Sequence, residues 1–374
     1  MSTPHPALPD SYEGLHQRAR NLAQAGDVEG SVLLYRRLTD RLRRLSDRIL
    51  ARRPELRGLH RQARMELTSL LASEGRYAEA LEVEKVLLET DPGEAESWRR
   101  DLAVLRAAKG EVEAGLAELR TLAEESPDEP RGWLLLGRES RLAGRLAESQ
   151  NALDRALEAC EADHNEDLAD VQYQRFLLFK EMKQLDSAMR AWEEALNQNP
   201  EVSKTVREVY TILTEAGRYS EARSYVARDE NALQAGFQLG LIASLTARPV
   251  DARNAWRQVA DLNPDDFEYG HDAWVEAVLR LGDPDPALEW LQASLPEYGT
   301  PRLFVLSGIG WAMRKDAELA AILFQQSVNL QRRERPPKQK LGSADWRLLD
   351  SLVADDEIKS PLKPYFAVVE TLWG

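Results

Sequence analysis

Residues 130–157, PRGWLLLGRESRLAGRLAESQNALDRAL, read as one complete helix, turn and helix, and the same pattern recurs along most of the chain. Trp133, Leu136 and Gly137 share one face of a first helix, Gly144 interrupts, and Ser149, Leu153 and Ala156 share one face of a second. Neither helix can bury its apolar face alone. Such a unit is stable only when copies stack, so the repeat restricts the available folds more than any single residue does.

A small residue recurs in the second helix of each copy, where two helices must approach closely: Ser31, Ala80, Gly115, Ser149, Ala188, Ala222, Ala252, Ala287 and Ala320. Four residues later, on the same helix face, stands a bulky partner: Tyr35, Leu119, Leu153, Trp192, Val226, Trp256, Leu291 or Phe324, with Glu84 as the exception. Five residues before the small one, at the turn, six copies carry glycine: Gly26, Gly75, Gly110, Gly144, Gly217 and Gly282. Glycine suits the left-handed conformation that often ends a helix. Pro92, Pro127, Pro200 and Pro264 fall twelve residues after the small position, where they forbid the second helix from continuing.

The pattern resembles the tetratricopeptide repeat family, whose 34-residue helical hairpins stack into a right-handed superhelix. Steps between successive small residues are 49, 35, 34, 39, 34, 30, 35 and 33, scattered around that period. The resemblance covers roughly residues 12–330. It implies an all-α fold, a right-handed α-solenoid of about nine stacked hairpins over residues 11–330. Ser11 reads as the first helix cap, and the second helix of the first hairpin is expected to run to about Leu50, before Arg53 and Pro54. The polar insertion ADHNEDLAD at 162–170 lengthens one step, and the 30-residue step implies a shortened second helix around 225–231. Phe176 and Tyr210 stand where other copies have Gly137, Gly240 and Gly308, so helix spacing should differ there. A basic, proline-containing connector follows at 331–342. Residues 343–374 then carry Trp346, Leu349 and Leu352, and Phe366, Val369 and Leu372, at helical spacing; they are expected to be C-terminal capping helices covering the last apolar face. Residues 1–10 hold three prolines and are expected to be a disordered tail.

A formal charge of −14 argues against nucleic-acid binding over the whole surface. Cys160 stands alone, so no intramolecular disulfide forms and a reducing, cytoplasmic setting is the simpler expectation. The start, MSTPHPALPD, lacks a basic and an apolar leader region, and no long apolar run exists; the expectation is a protein neither exported nor membrane-spanning. There is no Walker loop, dinucleotide fingerprint, HExxH or GxSxG, so no catalytic residue, metal or cofactor is expected. Cys160, Asp163, His164 and Asp167 read as a buried small cysteine beside an acidic loop rather than a zinc site. Trp133, Trp192, Trp256 and Trp311 occupy packing positions, whereas Trp98 and Trp290 fall off them and are expected to be partly exposed.

The resemblance implies that first helices line a concave groove. Opposite the packed side set by Trp133, Leu136, Gly137 and Ser140 lie Arg131, Leu134, Arg138, Arg141 and Leu142. The same offsets in neighbouring copies add Arg100, Tyr173, Lys180, Lys204 and Arg207, giving seven basic positions against the acidic Asp170, Glu181 and Glu215. Later copies place Phe237, Leu241, Leu245, Tyr269, Leu279, Val305, Ile309 and Met313 there. The groove set Arg100, Arg131, Arg138, Arg141, Tyr173, Lys180, Lys204, Arg207, Phe237 and Leu241 thus suits a protein or peptide segment with acidic and apolar anchors. The family's grip on a C-terminal carboxylate is not expected, because Arg138 and Leu177 occupy positions that would need asparagine. The alternative is a nucleic-acid-associated adaptor using the arginine-rich surface from Arg36 to Arg64, which includes Arg37, Arg41, Arg43, Arg44, Arg48, Arg52, Arg53, Arg57 and Arg61.

Overall fold

The computed structural model describes residues 11–90, 92–163, 166–332 and 340–367. The tail at 1–10, His164, most of the 331–342 connector, and Val369 and Leu372 lie outside the described residues. Nine hairpins follow one another among those described. They pair α1 (Tyr12–Gln24) with α2 (Val28–Arg43), α4 (Glu55–Ser73) with α5 (Tyr77–Thr90), and α6 (Ala95–Lys109) with α7 (Val112–Glu125). The short α3 (Asp47–Arg52) lies between the first two hairpins. Next come α8 (Pro130–Leu142) with α9 (Leu146–Asp163), α10 (Leu168–Glu181) with α11 (Leu185–Gln198), and α12 (Val206–Glu215) with α13 (Tyr219–Val226). The last three are α14 (Ala232–Leu245) with α15 (Pro249–Ala260), α16 (His271–Leu281) with α17 (Asp285–Tyr298), and α18 (Pro301–Met313) with α19 (Ala317–Gln331). Two compact units divide the chain, one ending at Gln174 and the other beginning at Arg175, so the change falls inside α10.

The periodic slots behave as close-packing demands. All nine small residues of the second helices are buried. The Ser31 hydroxyl donates to the Ala19 carbonyl at 2.8 Å and the Ser149 hydroxyl to the Gly137 carbonyl at 2.7 Å, each twelve residues back. A Cβ added at Gly115 would stand 2.6 Å from the Ala103 carbonyl, again twelve residues back. The bulky residue four positions on fills the hollow left by a first-helix glycine: a Cβ at Gly137 would meet Leu153, at Gly240 Trp256, and at Gly308 Phe324. Where Phe176 and Tyr210 replace that glycine, both are fully buried.

The turn position is left-handed in every hairpin. The six glycines have φ between +70° and +109°, and Lys183, Ala247 and Lys315 adopt φ of 58°, 56° and 64° at the same place. Prolines stop the second helices as expected, with Pro92, Pro200 and Pro264 each opening a short 3-10 turn. The shortened second helix is α13, of eight residues.

Three expectations are corrected. The second helix of the first hairpin ends at Arg43 and a new helix starts after Ser46, whose backbone is extended at φ −72° and ψ 152°. Trp98 is buried rather than partly exposed, while Trp290 is half-buried. The described part of the second C-terminal segment, 361–367, is not α-helical. After α20 (Ser343–Leu352) and α21 (Asp356–Lys359), the prolines Pro361 and Pro364 accompany a 3-10 turn over Ser360–Tyr365, and Phe366 is extended. Phe366 pairs with Leu341 and sits edge-on to Phe324 at 5.0 Å and Trp346 at 5.4 Å. The last hairpin is therefore covered by α20 and this aromatic plug.

Candidate partner-binding face

Several neighbouring first helices touch: α6 packs on α8, α14 on α16, and α16 on α18. That contact covers both flanks of α16 and one flank each of α14 and α18, narrowing their open faces. Four of the expected apolar groove residues consequently lie in the core: Phe237, Leu279, Val305 and Ile309 are buried, so they do not form an open apolar face. Leu241 and Met313 are half-buried, and Leu245 and Tyr269 are exposed.

The basic set is neutralised locally. In the first unit, Arg100 bonds Glu129 and lies 3.6 Å from Glu96. Arg131 reaches Asp167 at 2.9 Å, Arg138 reaches buried Glu139 at 3.1 Å, and Arg141 donates to the Gln174 amide oxygen at 3.3 Å. Tyr173 is half-buried beside them in sequence. In the second unit, Lys180 pairs with Glu208 and lies 5.8 Å over the Phe176 ring, and Lys204 pairs with Glu201. Arg207 grips Asp272 with both terminal nitrogens. The excess of seven basic residues over three acidic ones disappears because Glu129, Glu139, Asp167, Glu208 and Asp272 come from positions the helical offsets assign elsewhere.

One cleft gathers several of these groups. It has a volume of about 590 Å³ and lies where α14, α16 and α18 begin, with Arg207 of α12 on its wall. Arg207, Gln234, Tyr269, Gly270, His271, Asp272, Thr300 and Arg302 line it. Local sequence explains the placement. Asn231 caps α14 and its amide also donates to the Tyr269 carbonyl at 2.7 Å, while Thr300 caps α18 ahead of Pro301. Gly270 has φ of +94°, and a Cβ there would meet Asn231 Oδ1 at 2.7 Å. His271 stacks on Trp290 at 5.2 Å, and the Trp290 indole donates to Asp265 at 2.8 Å.

Charge runs along this face as a ladder. Asp272 bonds Arg207; Arg302 of α18 bonds Glu276 and Asp345; Glu276 also bonds Arg280 at 2.7 Å. Burial raises the Asp272 carboxyl pKa, but the hydrogen bonds and charge of Arg207, with Arg302 adding, outweigh it and hold the group below the usual carboxylate value. Arg207 and Tyr269 were legible in the repeat offsets. Asp272, Arg302, Gln234 and Thr300 were not, although Gly270, a turn glycine outside the periodic turn position, is a signal pointing to them. Among the described residues no three metal-ligating side chains cluster, and Cys160 is buried. No helix among them is long and apolar enough to cross a membrane.

These features define a helical-hairpin repeat protein with a charged, polar cleft at the starts of its first helices. Residues 71–139 match the tetratricopeptide repeat family model, and the same slots are filled in hairpins beyond that match, which is consistent with a helical-repeat protein of that family. Such folds are generally non-catalytic scaffolds whose members often mediate protein–protein interaction. No curated protein matches the chain in sequence. Solved structures with similar stacking include a tetratricopeptide repeat protein from Parabacteroides merdae, at 15% identity over 71% of this chain and 97% of that one, with a TM-score of 0.41. PilF of Pseudomonas aeruginosa is 22% identical over 55% of this chain and 92% of its own, with a TM-score of 0.40. The apo quorum sensor NprR of B. thuringiensis is 12% identical over 87% and 99%, with a TM-score of 0.43. Likeness at these values bears on no function.

Proposed function

We propose that the protein is a non-enzymatic scaffold or adaptor of the cytoplasm that holds an extended or helical segment of a partner protein on its first-helix faces. The observation that carries this reading is the cleft at α14, α16 and α18. Two guanidinium groups, the Gln234 side chain and exposed Tyr269 converge on a space large enough for several side chains. Arg207 and Arg302 present planar forks suited to carboxylates, and Gln234 offers a donor and an acceptor to a peptide backbone. An acidic side chain entering the cleft would share these arginines with Asp272, which keeps the exchange reversible.

The alternative of a nucleic-acid adaptor has weaker support. Arg36 is paired with Glu79, and Arg53 with Glu13 and Glu55, while Arg64 is buried. A photo-crosslinking residue at Tyr269, read by mass spectrometry of partners captured in native lysate, tests the proposal. Cross-links concentrated at Tyr269 compared with a control at exposed Arg37, and lost when Gln234→Ala is added, are the expected result. Equal labelling at both positions sinks it.

A further inference from the structure

Arg64 is a charged side chain with 5% of its surface exposed, inside the first unit. Its Nε–H donates to the His60 ring at 2.9 Å. Among the described residues no carboxylate lies within ion-pair distance of Arg64 or of exposed Arg43, although Asp40 and Arg43 both act on Arg64 through their charges. Most buried guanidinium groups are paired, because desolvating an unpaired charge costs several kcal/mol. Here burial and the like charge of Arg43 act together and lower the Arg64 pKa.

The surroundings are built to keep this charge in place. His60 accepts from Arg64 on the same helix, and the Thr39 backbone of α2 acts on its ring. Burial, helped by Arg64 and Arg43, pushes the His60 pKa down to about 4, so the ring is uncharged at neutral pH. In front of Arg43 and Arg64 lies a cleft of about 530 Å³ between α2, α4 and α5. Leu67, Val83 and Val86 supply an apolar wall, and Arg36, Asp40, Glu79 and Glu82 stand on its lining.

We propose that this cleft is a second recognition site, separate from the first-helix face, which takes the carboxylate of an aspartate or glutamate flanked by aliphatic residues in a partner peptide. The carboxylate meets Arg64 and Arg43, supplying an anion that no described residue places within ion-pair distance. The neighbouring aliphatic side chains meet Leu67, Val83 and Val86. Glu79 is held by Arg36 and Arg76 and Glu82 by Lys85, while Asp40 disfavours a polyanion and suits a basic residue elsewhere in the same peptide, which favours a peptide over a nucleic-acid strand.

The test uses the full chain and the imidazole NMR signals of His60. The probe is a capped synthetic peptide of leucines around one glutamate and ending in lysine; inorganic phosphate, octanoate and a single-stranded DNA oligonucleotide are the other arms. The glutamate peptide is expected to move the His60 signals and raise the His60 pKa, because the bound anion offsets the two guanidinium charges. The same peptide with glutamine in place of glutamate should bind about tenfold more weakly. Arg43→Ala, at an exposed position that leaves the core intact, should weaken the glutamate peptide by a similar factor, and Arg64→Met should abolish the His60 response. An unmoved His60 signal, equal binding of the glutamine peptide, or tighter binding of phosphate, octanoate or DNA than of the peptide would each overturn the proposal.

Discussion

Arg302, half-buried in the second unit, and Arg64, buried in the first, are treated in opposite ways. Arg302 stands between Glu276 and Asp345, and its neighbour Asp272 is gripped by Arg207. Arg64 has a neutral histidine and no carboxylate within ion-pair distance among the described residues. The same contrast holds for acids. Asp272 is held below the usual carboxylate range by arginine, whereas Glu84 of the first unit, in the slot other hairpins fill with an apolar or aromatic residue, is pushed up to about 7 by burial and by the charge of Asp101. The second unit uses buried charge to tie helices together. In the first unit, isolated charge is a cost in stability, and at Arg64 it marks a place for a ligand.

The largest effect should come from removing one partner of the compensated ladder. Arg302→Met is expected to destabilise the second unit by about 3 kcal/mol, because Glu276 and Asp345 lose a shared cation. Arg64→Met in the first unit should be neutral or stabilising by up to about 2 kcal/mol, since an unpaired charge is replaced by an apolar chain. Denaturant unfolding, followed by both circular dichroism and tryptophan fluorescence, measures the two. Equal losses would erase the distinction.

The next effect depends on pH. Because the folded state holds the Glu84 proton above its ordinary value of 4.5, the residue costs nothing at lower pH. It destabilises increasingly as pH rises from there to about 7, and fully above that. Glu84→Leu is therefore expected to stabilise the protein by roughly 2–3 kcal/mol at pH 8, with the gain shrinking steadily toward pH 5. Asp272 has the opposite sign: its contribution is present above its ordinary value of 3.8 and is lost as pH falls through the depressed one. Across pH 5 to pH 8 the stability gain of Glu84→Leu should therefore grow while the loss from Asp272→Asn stays constant, shrinking only as pH falls below about 4; a gain for Glu84→Leu that does not change with pH would contradict the assignment.

The smallest effect examines what the two units share. Gly144→Ala, at φ of +75°, should cost about 1 kcal/mol, and Ala247→Gly, at φ of 56°, should gain up to about 1 kcal/mol. A loss on Ala247→Gly would show that the turn position is not equivalent in the two units.

Much of the fold was legible because its rules are local. The left-handed turn lies five residues before the small slot in all nine hairpins, even where Lys183, Ala247 and Lys315 replace glycine. The small slots are buried and the prolines stop the second helices, since each requirement acts within one hairpin. The candidate site was much less legible. Helical offsets located Arg207 and Tyr269, but counted Phe237 and Ile309 as open when neighbouring first helices cover them.

By itself the sequence determined the hairpin, its period and the residues that must lie between its two helices, because backbone geometry and side-chain volume operate over a few turns. Only the tertiary structure decided the fate of the charges. Arg207 and Asp272 are 65 residues apart, and Arg302 and Asp345 are 43 apart. Whether an arginine ends beside a carboxylate, like these two, or beside a neutral histidine, like Arg64, is set by which helices stack, and the Coulomb energy of each group depends on that neighbour and on the water excluded with it.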